Sequence, residues 1–198
     1  MSVYIALLRG AGGPADPCSP LGLPSAAEGL RKVLSYIGFK RIRMYGPSGD
    51  AAFDAVDNSR RKMEAEIGYE LRHSAGGSLG VVLMTLDELR FAAASHPLAD
   101  RGPTERLFVT VLGHEPSRED LALLLETMNG VDEHEVVGSA VFSYYGAGYE
   151  SSRRSNAFIE KVLKAPATTR PWSSMVGLLE LAADERGPTW IAAREPDA

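Results

Sequence analysis

Cysteine is almost absent from this chain, which has a single one, Cys18, among 198 residues. No disulfide can therefore form within the chain, and no zinc site can be built from several cysteines. Long apolar runs are missing as well, because none approaches the roughly 20 residues that span a bilayer. The first residues also lack the basic start and small-residue cleavage site of a secretory signal. These absences predict a protein of the reducing cytoplasm that does not cross a membrane.

Familiar catalytic patterns are missing too. The sequence contains no metal-ligand spacing, no nucleophile triad and no spacing that supports a carboxylate pair. The Gly-rich stretch 10–13 lacks both the Gly-x-Gly-x-x-Gly frame and the lysine of a phosphate-binding loop. The histidines are scattered through loops and one strand end: His73, His96, His114 and His134. We therefore predict no metal ion and no cofactor.

What is present is an ordinary globular composition, with 44% hydrophobic and 24% charged residues. The formal net charge is -5, which repels a phosphate backbone and makes bulk nucleic acid an unfavourable partner. Residues 151–172 nevertheless contain five basic residues and one acid, so this segment carries +4 and the remainder -9. The segment is either the solvated face of two helices or a place where a small anion binds.

Apolar periodicity divides the first half of the chain into strands and helices. Gly38 follows the first helical pattern and is its predicted C-terminal cap. Residues 73–78 are predicted to be flexible because they include Gly76 and Gly77. The predicted elements are strands at 3–8, 41–45, 51–55 and 79–84, a helix at 26–37, and a helix that is capped at 57–59 and runs to about 67.

The same order returns in the second half. Thr85 and Glu88 form a capping box that opens a connecting helix before Pro97, and 100–104 is a linker. Ser117 caps the next helix. The remaining predicted elements are strands at 106–112, 135–137, 140–145 and 167–169, a helix around 158–163, and a last helix that starts at Pro171.

The order β-α-β-β-α-β thus occurs twice, which predicts two ferredoxin-like α/β plaits of the α+β class, with a connecting helix and a C-terminal helix. The expected divisions are a first subdomain at 1–84, a connecting helix and linker at 85–104, a second subdomain with its C-terminal helix at 105–186, and a tail at 187–198 in which Trp190 and Ile191 are candidates to dock.

The plait topology also predicts which loops meet. In the second half, the helix starts after the third and fourth strands should open onto one edge of the sheet, where their N–H groups and partial positive charge favour an anion. Arginine can grip a phosphate or carboxylate through two hydrogen bonds. The predicted ligand-binding residues are Tyr149, Ser152, Arg153, Ser155, Asn156, Thr169, Arg170 and Trp172. A secondary candidate in the first half comprises Arg9, Gly10, Ser48, Gly49 and Asp50.

Other functions remain open from the residues alone. Ser151 and Ser152 could serve only as helix caps, and Trp172 only as a core residue. An enzyme acting on a phosphorylated molecule would use Glu150 as the nearest carboxylate and Tyr149 as an acid. A plait that binds single-stranded RNA or a protein would expose aromatic side chains on its central strands, for which Phe108 and Tyr144 are the candidates.

These motifs in combination resemble a bacterial family known as domain of unknown function 1697. The stretches 4–10, 30–39, 48–50, 148–161 and 167–172 carry the resemblance. The family usually has Ile-Asn after the first Arg-Gly, where this chain has Ala11-Gly12. Asp50 and Pro171 each stand at a position where the family usually has asparagine. The resemblance implies two ferredoxin-like subdomains packed together and no established activity.

Overall fold

The computed structural model describes residues 1–10, 23–46, 49–56, 59–75, 79–94, 96–127 and 131–184. Short 3-10 turns lie at Ala99–Arg101, Thr104–Arg106 and Tyr149–Ser151. The strands are β1 (Ser2–Arg9), β2 (Lys40–Tyr45), β3 (Asp50–Ala55), β4 (Gly80–Thr85), β5 (Leu107–Leu112), β6 (Asp132–Val137), β7 (Ala140–Tyr145) and β8 (Ala167–Pro171). The helices are α1 (Leu23–Ile37), α2 (Arg60–Ala75), α3 (Leu86–Ala94), α4 (Arg118–Glu126), α5 (Asn156–Leu163) and α6 (Trp172–Ala183).

Two antiparallel sheets organise the chain. Their strand orders are β2-β3-β1-β4 and β6-β7-β5-β8, and every neighbouring pair is antiparallel. In each sheet the first strand lies between the third and the fourth, as a ferredoxin-like plait requires. The predicted fold class is confirmed.

Each sheet divides its apolar side chains between two faces. In β1, Tyr4 and Leu8 point towards α1 and α2, whereas Ile5 and Leu7 join a second core. That second core also includes Val109 from β5 and buried side chains of α3 and α6. A third core lies between the second sheet and the helices α4 and α5. We call the middle layer, which both sheets share with α3 and α6, the shared core.

Local signals placed several helix ends correctly. Gly38 has φ +96°, and its N–H donates to the carbonyl of Ser35 while Phe39 N–H donates to Leu34, which is the hydrogen-bond pattern of a Schellman cap. In the capping box of α3, Thr85 N–H donates to Glu88 Oε2 over 2.7 Å and Glu88 N–H to Thr85 Oγ1 over 3.2 Å.

Some predicted boundaries are wrong. Helix α2 continues to Ala75, because Leu71 extends the buried stripe of Met63 and Ile67 at four-residue spacing. Residues 73–75 are therefore helical rather than flexible. Strand β8 runs on to Pro171, so α6 begins one residue later than predicted, at Trp172. The predicted tail at 187–198 lies outside the described residues, as do Cys18, residues 11–13 and the cap residues 57–58.

Candidate functional site

The loops after β7 and β8 leave the second sheet at the same edge, as the predicted topology requires. In the register of the sheet, Leu107 at the start of β5 pairs with Tyr144 near the end of β7, and Phe108 pairs with Pro171 at the end of β8. The 3-10 turn Tyr149–Ser151 and the first residues of α5 and α6 follow these strand ends. Two neighbouring clefts open here and share Ala147 and Ser151 in their walls.

The larger cleft, which we call the Arg153 cleft, has a volume of about 490 Å³. An internal network of hydrogen bonds holds its polar wall in place. Asp132 accepts hydrogen bonds from Gly146 N–H over 3.1 Å and from Ser152 Oγ over 2.7 Å. The residues lining the cleft are Thr127, Val131, Asp132, Ala147, Ser151, Ser152, Arg153, Arg154 and Phe158.

The two arginines of this cleft have different surroundings. Arg154 Nε donates to the Thr127 carbonyl over 3.1 Å, and Nη1 lies 3.7 Å from the Asp132 carboxylate. The charge of Arg154 is thus compensated by Asp132. Arg153 is exposed, and the described residues offer its guanidinium no hydrogen bond or ion pair. Arg153 therefore gives this cleft its uncompensated positive charge.

Helix α5 begins beside the same cleft. Its first residue is Asn156 and its N-cap is Ser155, so neither Ser151 nor Ser152 caps this helix. The Ser155 side chain makes no capping hydrogen bond. The partial positive charge of a helix start is felt within the first turn, in which Phe158 lines the cleft. The helix thus adds to the positive potential of Arg153.

Three predicted site residues are linked to one another by hydrogen bonds. Tyr149 Oη accepts from Asn156 N–H over 3.2 Å, and Asn156 Oδ1 accepts from Thr169 Oγ1 over 3.0 Å. The buried Thr169 also bonds to Thr110 over 2.8 Å. These contacts fix the start of α5 against β8 and against the turn that carries Tyr149. Asn156 and Thr169 therefore position the cleft rather than line it.

Arg170 and Trp172 do not join Arg153. In the sheet register Arg170 pairs with Val109, whose side chain belongs to the shared core, so the guanidinium points between the two sheets. Arg170 is 1% exposed, and its Nε and Nη2 donate to the two carboxylate oxygens of Asp50, each over 2.8 Å. The Trp172 ring meets His96 at 4.5 Å between ring centroids. The predicted convergence of Arg153 and Arg170 on one anion does not occur in this structure.

The secondary candidate in the first half meets these second-half residues instead of forming a site of its own. Asp50 is fully buried and also accepts from Leu8 N–H over 2.7 Å. Arg9 pairs with Glu160 of α5. Gly10 and Gly49 both have positive φ, at 78° and 69°, and Ser48 lies outside the described residues. Asp50 and Arg9 thus form ion pairs that join the two halves.

Sequence reasoning missed Asp132 and gave His134 no role at this site. His134 Nδ1 lies 2.8 Å from Ser143 Oγ, and its Nε2 is buried without a hydrogen-bond partner among the described residues. Burial, helped by the nearby Arg154, lowers the pKa of His134 to about 4. Alternation along β6 places Asp132 and His134 on one face, and that was the available signal. In the described part of the chain, no three His, Cys, Asp or Glu side chains are grouped to hold a metal.

The smaller cleft, which we call the Tyr149 cleft, has a volume of about 360 Å³. Phe108 and Tyr149 line it as stacked rings whose centroids are 4.8 Å apart, with Pro171 beside them. The exposed Glu150 completes the wall. Phe108 is only 8% exposed, and Tyr144 lies against Gly102, so neither ring is displayed on an open sheet face as an RNA-binding plait would require.

A family model described as "Protein of unknown function (DUF1697)" matches residues 1–142. The chain belongs to this family. The match ends before the 148–156 and 167–172 motifs, so the resemblance seen there lies beyond it. No curated protein matches the chain.

The family assignment agrees with a structural comparison. The conserved bacterial protein SP0830 from Streptococcus pneumoniae is similar in structure, with a TM-score of 0.66 over 93% of this chain and 99% of that one, at 16% sequence identity. At this identity the likeness shows the fold alone. Among the described residues of this DUF1697 member, no helix has the length and apolar character needed to cross a bilayer.

Proposed function

We propose that this protein binds a small phosphorylated or carboxylated molecule in the Arg153 cleft. The observation that carries the proposal is the exposed Arg153 guanidinium beside a wall that is already held by hydrogen bonds. A preformed cleft loses less free energy in ordering its side chains when a ligand binds. Its volume of about 490 Å³ also suits a small molecule.

The charges of the cleft support an anion. Asp132 is the carboxylate in its wall, and Arg154 together with two hydrogen-bond donors compensates it. Arg153 and the start of α5 then leave a net positive potential. The guanidinium can hold a phosphate or carboxylate through two parallel hydrogen bonds, and the exposed Ser151 hydroxyl can donate a third.

Binding is a better description than catalysis for this geometry. Glu150 lies in the wall of the Tyr149 cleft, not in that of the Arg153 cleft. Tyr149 also lines the Tyr149 cleft and not the Arg153 cleft. Neither group is therefore placed as an acid or base beside an anion held by Arg153.

Isothermal titration with inorganic phosphate, ribose 5-phosphate and citrate tests the proposal. We expect Arg153→Ala to weaken the binding of every anion that binds the wild type by about tenfold, the usual value of a hydrogen bond to a charged group. Arg31→Ala is the matched control, since it removes another exposed arginine, from α1 in the other half. The proposal fails if no anion binds, or if both variants bind as the wild type does.

A further inference from the structure

The Arg153 cleft and the Tyr149 cleft are neighbours that share two small residues in their walls. Ala147 and Ser151 line both clefts, so the wall that the clefts share carries only small side chains. The backbone between them is fixed, because Gly148 N–H donates to the Tyr145 carbonyl over 2.9 Å and Ser151 N–H to Gly148 over 3.2 Å. A single molecule can therefore extend across this divider into both clefts.

The chemistry of the two clefts differs. The Arg153 cleft offers a cation, whereas the Tyr149 cleft offers the stacked rings of Phe108 and Tyr149, the ring of Pro171 and the carboxylate of Glu150. Aromatic and proline rings favour a flat, apolar partner. A carboxylate accepts hydrogen bonds and repels a second anion. The Tyr149 cleft thus suits an uncharged ring that carries N–H donors.

We infer that the ligand of this protein carries a phosphate or carboxylate and, a short spacer away, a flat nitrogen-containing ring, as a mononucleotide does. This inference rests on the function proposed above. Arg153 holds the anionic group, the spacer crosses Ala147 and Ser151, and the ring lies in the Tyr149 cleft with its N–H groups towards Glu150. The clefts have volumes of about 490 and 360 Å³, each within the range for small-molecule sites.

Titration of the full chain with three probes tests the ring contact: ribose 5-phosphate, adenosine 5′-monophosphate and inorganic phosphate. We expect the nucleotide to bind about tenfold more tightly than ribose 5-phosphate, the usual gain from stacking a base on an aromatic wall. Tyr149→Leu should remove most of that preference for the nucleotide over ribose 5-phosphate. Tyr149→Phe is the matched control: like leucine it lacks the hydroxyl that accepts from Asn156 N–H, but it keeps the ring and should keep the tenfold preference.

The outcomes separate this inference from the proposed function. Equal affinity for the nucleotide and ribose 5-phosphate in the wild type would overturn the ring contact while the anion site stands. A nucleotide preference that survives Tyr149→Leu would also overturn it, because the ring would then bind elsewhere. If no probe binds, both proposals fail. Because Tyr149→Leu could disturb the turn, Glu150→Ala is a second variant at an exposed position, and it should weaken nucleotide binding alone.

Discussion

His134 shows how one half-buried side chain can make the stability of the fold depend on pH. Its ring lies against Tyr145, at 5.5 Å between centroids, and near the Asp132 and Arg154 charges. Burial keeps the imidazole neutral and lowers its pKa to about 4, against about 6.5 in an unfolded chain. The unfolded state therefore takes up a proton between these two values while the folded state does not. Proton uptake by the unfolded chain lowers the free energy of unfolding as the pH falls.

We predict that the contribution of His134 to this loss begins near pH 6.5 and is complete near pH 4, where it reaches about 3 kcal/mol. His134→Asn removes the titration and keeps a polar group near Ser143. This variant should lose less stability than the wild type between pH 7 and pH 4.5, as measured by urea denaturation. His114→Asn, at an exposed position, should follow the wild-type curve. Parallel curves for all three proteins would show that His134 is not the titrating group.

Arg170 illustrates what residue patterns leave undetermined. The residue pattern predicted a strand that ends at Thr169 and placed Arg170 in the loop after it, whereas β8 includes Arg170. The edge of the sheet at which the strand ends was predicted correctly. Whether its guanidinium reached the edge or the shared core depended on the register with Val109 and on a carboxylate 120 residues away, Asp50. Arg153, by contrast, was correctly placed by its loop alone, because an exposed loop residue needs no distant partner.

At the scale of elements, signals between near neighbours were sufficient for most of the fold. Gly38, the Thr85–Glu88 capping box and Ser117 all mark helix ends through residues within four positions. The apolar alternation of the strands then fixed which face each residue occupies. Helix α2 was cut short in the prediction because glycines after it outweighed the continued stripe at Leu71.

Two glycines, Gly38 and Gly80, allow the effect of backbone conformation on stability to be measured apart from the effect of packing. Gly38 has φ +96°, and a Cβ there would meet nothing within 4 Å. Gly80 in β4 has equal space and no positive φ. We predict that Gly38→Ala lowers the free energy of unfolding by about 1 kcal/mol, because alanine is strained in the left-handed region. Gly80→Ala should raise it by about 0.5 kcal/mol, because alanine reduces the conformational freedom of the unfolded chain. Thermal and urea unfolding measure both, and equal effects would contradict this account of the cap.

At the scale of the whole molecule, the halves share a core and a buried polar joint. We use the term joint for Leu8, Asp50, Thr168 and Arg170. The Leu8 carbonyl accepts from Arg170 Nη2 over 2.6 Å and from Thr168 Oγ1 over 3.1 Å, while the Leu8 N–H donates to Asp50. Both backbone polar groups of Leu8 thus have partners from another strand. A joint satisfied in this way allows a charged pair inside an apolar layer.

Removing one member of the joint leaves a buried charge without compensation. We predict that Arg170→Met lowers the free energy of unfolding by about 3–5 kcal/mol, measured by urea denaturation. Adding Asp50→Asn should recover at least about 1 kcal/mol, because the orphaned charge is removed while the side-chain oxygen still accepts from Leu8 N–H. Lys32→Met is the control, since it breaks an exposed ion pair with Glu28 and should cost less than about 1 kcal/mol. If Arg170→Met costs no more than Lys32→Met, or Asp50→Asn makes it worse, the ion pair does not hold the halves together and the shared apolar core alone does.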